Sequence, residues 1–106
     1  MTTWPMHFIN VADSIRHYVI SLVNATRSSQ ELRLGASPRA TLHLLRASRA
    51  WAALDGRDYV IPDDVQRLAR PVLAHRLLPT AEAIVERHLP EQVVDRIVAQ
   101  LPLPRR

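Results

Sequence analysis

Residues 38–54 are apolar nearly all the way round a helix. Ala40, Leu42, Leu44, Leu45, Ala47, Ala50, Trp51, Ala52, Ala53 and Leu54 leave only a narrow polar stripe. That stripe is Arg39, His43, Arg46 and Arg49, at steps of four, three and three. A helix hydrophobic on most of its circumference must be surrounded by partners. The segment is therefore predicted to be the central helix of a bundle, and the rest of the chain has to supply the elements that cover it. Asp55-Gly56 ends it, with Gly56 predicted in the left-handed conformation at the position after the cap.

The covering elements are legible from helical spacing. Ile15, Tyr18, Val19, Leu22 and Val23 recur at three- and four-residue intervals and predict a helix over 13–26. Phe8-Ile9-Asn10-Val11 ahead of it reads as extended, and residues 27–34 as a polar connection to the second helix that Arg27 is expected to pin. Residues 57–61 form a short extended link. Pro62 starts a third helix, with Asp63 and Asp64 in the first turn where the dipole favours acids. Its buried face is Val65, Leu68, Ala69, Val72 and Leu73. Pro71 lies too deep for regular geometry, because its ring meets the carbonyl four residues back. A kink or break is expected at 68–70, then a further turn to His75. Residues 77–88 read as either extended or a short helix capped by Thr80. The last helix starts near Pro90 and buries Val93, Val94, Ile97, Val98 and Leu101, and Pro102 and Pro104 stop it. Trp51 and Tyr59 are expected as core anchors.

Composition agrees with this pattern. The 106 residues suit one domain, and 47% hydrophobic content with 5% aromatics and two glycines favours helices built on Leu, Val, Ile and Ala. The fold class is thus all-α, a small bundle of four main helices with a possible short fifth and short extended stubs. Residues 1–10 are expected to be a frayed segment, 11–103 the domain and 104–106 a tail.

The start of the central helix carries the chemistry. Gly35 permits a tight turn, and Ser37 is a strong N-cap residue. Pro38 suits the first helical position. Arg39 is the anomaly, because a cation in the first turn opposes the helix dipole by roughly 0.3–1 kcal/mol when exposed. A helix N-terminus joined to an arginine is, in contrast, a good receptor for a phosphate.

Other chemistries are missing. No cysteine is present, so disulfides and thiolate metal sites are excluded. The five histidines are at least ten residues apart, leaving no helical metal pair. Two glycines and no lysine cannot make a phosphate-binding P-loop. Gly35-Ala36-Ser37-Pro38-Arg39 departs from a nucleophile elbow where Arg39 replaces the second glycine. Asp63 and Asp64 are neighbours about 100° apart on a helix, which suits helix-start stabilisation better than paired-carboxylate catalysis. All 14 basic residues are arginines, and the net charge is only +4. They are scattered rather than gathered on one face, so nucleic-acid binding is not expected. No apolar run is long enough to span a membrane.

Three segments in register resemble a known family. They are Ala25-Thr26-Arg27, then Leu34-Gly35-Ala36-Ser37-Pro38-Arg39-Ala40 with Leu44-Leu45-Arg46-Ala47, and then Gly56 through Val65 with Val72-Leu73-Ala74-His75-Arg76-Leu77. Their order resembles the C-terminal lid domain of AAA+ ATPases of the MoxR type, over nearly the whole chain. The resemblance implies a helical bundle packed over a nucleotide held by a separate α/β core domain. It implies that Arg39 is the sensor 2 residue reaching ATP phosphates; apart from the resemblance, Ser37 at the helix start and Arg46 on the basic stripe are candidate phosphate contacts, Arg46 reading at least as well as part of a solvated face. It also implies Mg²⁺ held by that core, a homo-oligomeric ring (usually a hexamer), protein clients and a cytoplasmic setting. Two departures stand out: Ile61 replaces the usual Thr or Ser cap before Pro62, and residues 79–89 match weakly. Walker A, Walker B, sensor 1 and the arginine finger belong to the core, so this chain alone is not expected to hydrolyse ATP. The alternative is a small basic DNA-binding or adaptor module.

Overall fold

A computed structural model describes residues 9–29, 32–34 and 37–104. Among these residues, five helices and one two-stranded ladder follow in the order α1 (Asp13–Ser28), β1 (Leu32–Leu34), α2 (Arg39–Leu54), α3 (Pro62–Leu73), β2 (Leu78–Pro79), α4 (Ala81–Val85) and α5 (Pro90–Gln100). A 3-10 turn, Ala74–Arg76, follows α3 directly. The domain is a helical bundle, as the periodicity requires.

The core forms where the apolar stripes meet. Ile15, Tyr18, Val19, Leu22 and Val23 of α1 face Ala40, Leu44, Leu45, Ala52 and Ala53 of α2, together with Val65, Ala69 and Leu73 of α3 and Val93 and Val94 of α5. The helix α2 packs on both α1 and α3, and α3 in turn packs on α5. Two of its leucines are not covered: Leu42 and Leu54 are exposed. Ser48 is wholly buried inside α2 and donates its hydroxyl to the Leu44 carbonyl at 2.8 Å, so this hydroxyl is satisfied.

Helix ends follow local rules. After α2, the Arg57 N–H reaches the Ala52 carbonyl at 2.9 Å and the Gly56 N–H reaches that of Ala53 at 3.1 Å. This is a Schellman motif, and Gly56 sits at φ 76° as predicted. The same motif ends α4: the His88 N–H bonds the Ala83 carbonyl and the Arg87 N–H that of Ile84. There a non-glycine, Arg87, is forced to φ 59°. Ile61 cannot cap α3 with its side chain, but the Asp64 carboxylate accepts from the Ile61 N–H at 2.9 Å. Gln92 serves the Leu89 N–H in the same way at 3.1 Å. Thr80 caps α4, accepting from the Ala83 N–H at 3.1 Å.

Several expectations are corrected. Pro71 does not break α3, which continues to Leu73. Pro71 lies in the last turn, so only one helical bond is forfeited, and the Ala74 N–H still reaches the Arg70 carbonyl. The tightening comes later, in the 3-10 turn. The connection after α1 is not wholly irregular, because β1 pairs antiparallel with β2. Residues 77–88 therefore contain both of their predicted alternatives, a strand and a short helix. Arg27 is exposed in the last turn of α1, and most of the connection that it was expected to pin lies outside the described residues. Tyr59 is half exposed rather than a core anchor, with the Arg57 guanidinium 5.7 Å from its ring centre. Trp51 is half-buried and carries the Arg67 guanidinium 4.8 Å above its ring. Ile9 is buried, and Asn10 bridges to the 58–60 link through bonds of 2.7 and 2.9 Å, so this end of the N-terminal segment belongs to the fold. The expected fraying of residues 1–8 and the ends of the tail, Arg105 and Arg106, lie outside the described residues, as do Gly35 and Ala36.

Candidate functional site

The first turn of α2 lies on the surface. Pro38 adopts helical dihedrals, φ −56° and ψ −29°, and the Ser37 carbonyl accepts from the Ala40 N–H at 2.9 Å. Ser37 thus occupies the capping position by backbone geometry, but its hydroxyl caps nothing among the described residues. This corrects the expected side-chain cap. The turn is closed by carbonyls, Ser37 to Ala40 and Pro38 to Thr41. The Ser37 side chain is exposed and free to face a ligand.

Arg39 is exposed and has no carboxylate or hydrogen-bond partner among the described residues. Among the described residues it is neither buried in the bundle nor paired with an aspartate. His43 and Arg46 follow on the same face, since steps of four and three keep residues together on a helix. The 3-10 turn after α3 brings a further cation. Arg76 is exposed on that turn and acts on His43. Partial burial first, and then the positive charges of Arg76, Arg46 and Arg39, hold the His43 imidazole below its ordinary pKa. No carboxylate is among the groups that act on it. The charges of three arginines thus reach one imidazole, and no acid is among the groups that act on it. Such an arrangement is costly in itself and suits an incoming anion. Leu42, next to His43 in the chain, is also exposed.

Sequence spacing alone placed Arg39, His43 and Arg46 together. It did not bring in Arg76, which stands on the 3-10 turn after α3 and whose charge reaches His43 only once the helices have packed. Arg49, the last member of the stripe, belongs elsewhere. It is partly buried, and its Nε finds no partner among the described residues.

A second charged centre is structural. Arg57 grips Asp64 with two bonds of 2.9 and 2.6 Å, and also donates to the Tyr59 carbonyl at 3.0 Å and to Asp55 at 3.0 Å. Asp64 is only 2% exposed. The hydrogen bond to Asp64, ahead of the smaller effects of Asp55, raises the Arg57 pKa above even its high ordinary value, so the guanidinium stays charged. This pair joins the 55–61 link to the start of α3. Among the described residues no group of three metal-ligating side chains converges, and no helix is long and apolar enough to cross a membrane.

Residues 24–97 match the family of AAA lid domains. The chain belongs to that family, and within it to the MoxR type. It is 40% identical over 96 residues to the uncharacterized protein YeaC of Bacillus subtilis, covering 91% of this chain and 30% of that protein. It is 40% identical over 97 residues to the chaperone MoxR1 of Mycobacterium tuberculosis, covering 83% of this chain and 26% of the relative. Protein MoxR of Paracoccus denitrificans is 34% identical over 114 residues, with 90% and 32% covered. A crystal structure from Cytophaga hutchinsonii, of a protein described as a candidate ATPase, superposes with a TM-score of 0.88 at 29% identity, covering 94% of this chain and 33% of that one. The chain spans about a third or less of the length of these relatives. The lid fold that the sequence resemblance implied is thus the family of this chain.

Proposed function

We propose that this lid covers the nucleotide of a separate ATPase core, and that Arg39 is the sensor 2 arginine that contacts the ATP phosphates. The support is the uncompensated positive cluster at the start of α2: Arg39 projects without a partner where a phosphate group gains both its charge and the first-turn dipole. Ser37 offers an exposed hydroxyl to the same anion, and Arg46 extends the positive field one turn further. ATP and Mg²⁺ are held by the core. Arg39 donates charge-assisted hydrogen bonds to the β- and γ-phosphates when lid and core close. Loss of the γ-phosphate weakens that contact and lets the lid reorient. In a homo-oligomeric ring, a hexamer by analogy with the class, this motion acts on neighbouring subunits and on client proteins, in keeping with the chaperone among the relatives. The chain alone, lacking a P-loop, hydrolyses nothing, and its setting is the cytoplasm.

The test is Arg39→Ala in two contexts. In the lid alone the change is neutral or stabilising by up to about 1 kcal/mol, since it removes a cation from a helix N-terminus. In a protein that joins the lid to its core, ATP turnover falls by at least about tenfold with the fold intact, the scale of a lost charge-assisted contact. Equal turnover of the variant and the parent rejects the assignment.

A further inference from the structure

We infer that the two residues after Pro104, Arg105 and Arg106, clasp the domain by seating in an acid-flanked apolar groove at the start of α1. The groove is a cavity of about 470 Å³ walled by Asn10, Val11 and Ile15, by Tyr59 and Pro62, and by Pro104. It does not involve the phosphate reading. The helix α2 runs from Arg39 to Leu54, about 22 Å at 1.5 Å per residue, before the link that lines the groove. The segment after α5 is aimed at it. Leu101 shares one small cavity with Ala25 and Ser28, in the last turns of α1. Leu101 through Pro104 share another, of about 290 Å³, with Ser14, His17 and Ser21. The chain therefore runs back along α1 towards its first turn, and Ser14 and Pro104 belong to this cavity and to the groove alike. Two extended residues reach about 7 Å, so connectivity alone keeps both arginines at the groove.

Charge favours the same occupant. Asp13 lies between Ala12 and Ser14 in the chain and one turn before His17, on the face of α1 that the segment follows. Asp58 precedes Tyr59, and its carbonyl accepts from the Asn10 N–H at 2.7 Å. Neither carboxylate has an ion-pair partner among the described residues, whereas Asp55 and Asp64 are both taken by Arg57. Two full negative charges exceed the roughly half positive charge at each of the nearby starts of α1 and α3. Arginine suits such a surface, because its stem covers apolar walls while the guanidinium stays at the rim in water. The other end of the chain is placed less well. Asn10 pairs in parallel with Tyr59, so Ile9 lies on the Asp58 side, away from Val11 and the groove. A segment ahead of Ile9 has to reverse direction to enter, which orders more residues than the two of the clasp.

Nuclear Overhauser contacts in the isotope-labelled chain test the clasp. At low salt, side-chain protons of Arg105 or Arg106 are expected to contact the Tyr59 ring and Val11 or Pro62. At about 1 M NaCl, where charges are screened beyond about 3 Å, these contacts should weaken by about twofold to fivefold, the scale of exposed ion pairs. Asp13→Asn combined with Asp58→Asn should weaken them as much at low salt, and it leaves the Arg57–Asp64 pair in place. Arg105→Gln combined with Arg106→Gln changes no residue of a helix. It should shift the amide signals of residues 10–15 and 58–62 while those of 39–46 stay fixed. Absence of the arginine contacts, or contacts equally strong after the aspartates are replaced, overturns the proposal. Groove contacts to Trp4 or Phe8 also overturn it, because they make the N-terminal segment the occupant. Contacts between differently labelled molecules do the same, because they make the occupant a second copy.

Discussion

Asp63 and Asp64 are chemically identical neighbours at the start of α3, and the structure predicts that replacing them has very different consequences. Asp63 is exposed and acts only through the helix dipole. Asp64 is buried, receives both arms of Arg57 at 2.9 and 2.6 Å, and accepts the Ile61 N–H at 2.9 Å. Removing one member of a buried ion pair costs about 3–5 kcal/mol when the other charge is stranded. Arg57 is not fully stranded here, because the Asp55 carboxylate and the Tyr59 carbonyl remain. This reduces the penalty, while loss of the cap on the Ile61 amide adds to it by about 0.5–2 kcal/mol. For Asp64→Asn the balance is about 2–3 kcal/mol, which lowers Tm by roughly 10–20 °C in a domain of this size. Asp63→Asn should cost no more than about 0.3–1 kcal/mol. Thermal and urea unfolding of both variants, followed by circular dichroism, decides the matter. Equal losses would refute the argument, because they would mean that the carboxylate contributes only through helix-start electrostatics. Combined with Arg57→Gln, Asp64→Asn should lose much less than it does in the parent, since the charge that it strands is gone.

Two further outcomes follow from the helix ends and from His43. Arg87→Gly should stabilise the domain by about 1 kcal/mol, because glycine carries no side-chain penalty at φ 59°, whereas Gly56→Ala should destabilise it by a similar or larger amount; urea midpoints of opposite shift check the pair. The pKa of His43 is held down in the folded state by burial and then by Arg76, Arg46 and Arg39, so the unfolded chain binds that proton more readily. Stability at this residue is therefore full above the ordinary imidazole value of about 6.5 and is lost as pH falls from there through the lower folded value. His43→Gln should flatten that acid limb of the stability profile, and a variant that steepens it would contradict the sign.

Most helices were legible because their cause is local. The three- and four-residue spacing of Ile15, Tyr18, Val19, Leu22 and Val23 selects one face of α1, whatever later packs on it. Gly56 and Thr80 act within a few residues of themselves, and both were read correctly. The break expected as one outcome before Pro71 does not occur, because the cost of a proline depends on where the helix happens to stop. The pairing of β1 with β2 joins segments more than forty residues apart, and neither is long enough to announce itself. Tyr59 was assigned to the core on residue type alone, but the bridge to Asn10 leaves its side chain outward.

The amino-acid order by itself determined which stretches are helical, which faces are apolar and that Arg39 stands against the dipole of its own helix, since each depends on neighbours within one or two turns. Only the tertiary structure decided that Asp64 is sealed under Arg57 while Asp63 stays in water, and that Arg76 joins the cations of α2. Burial and charge proximity are properties of surfaces that meet when separate elements pack, and no local spacing encodes which surfaces those will be.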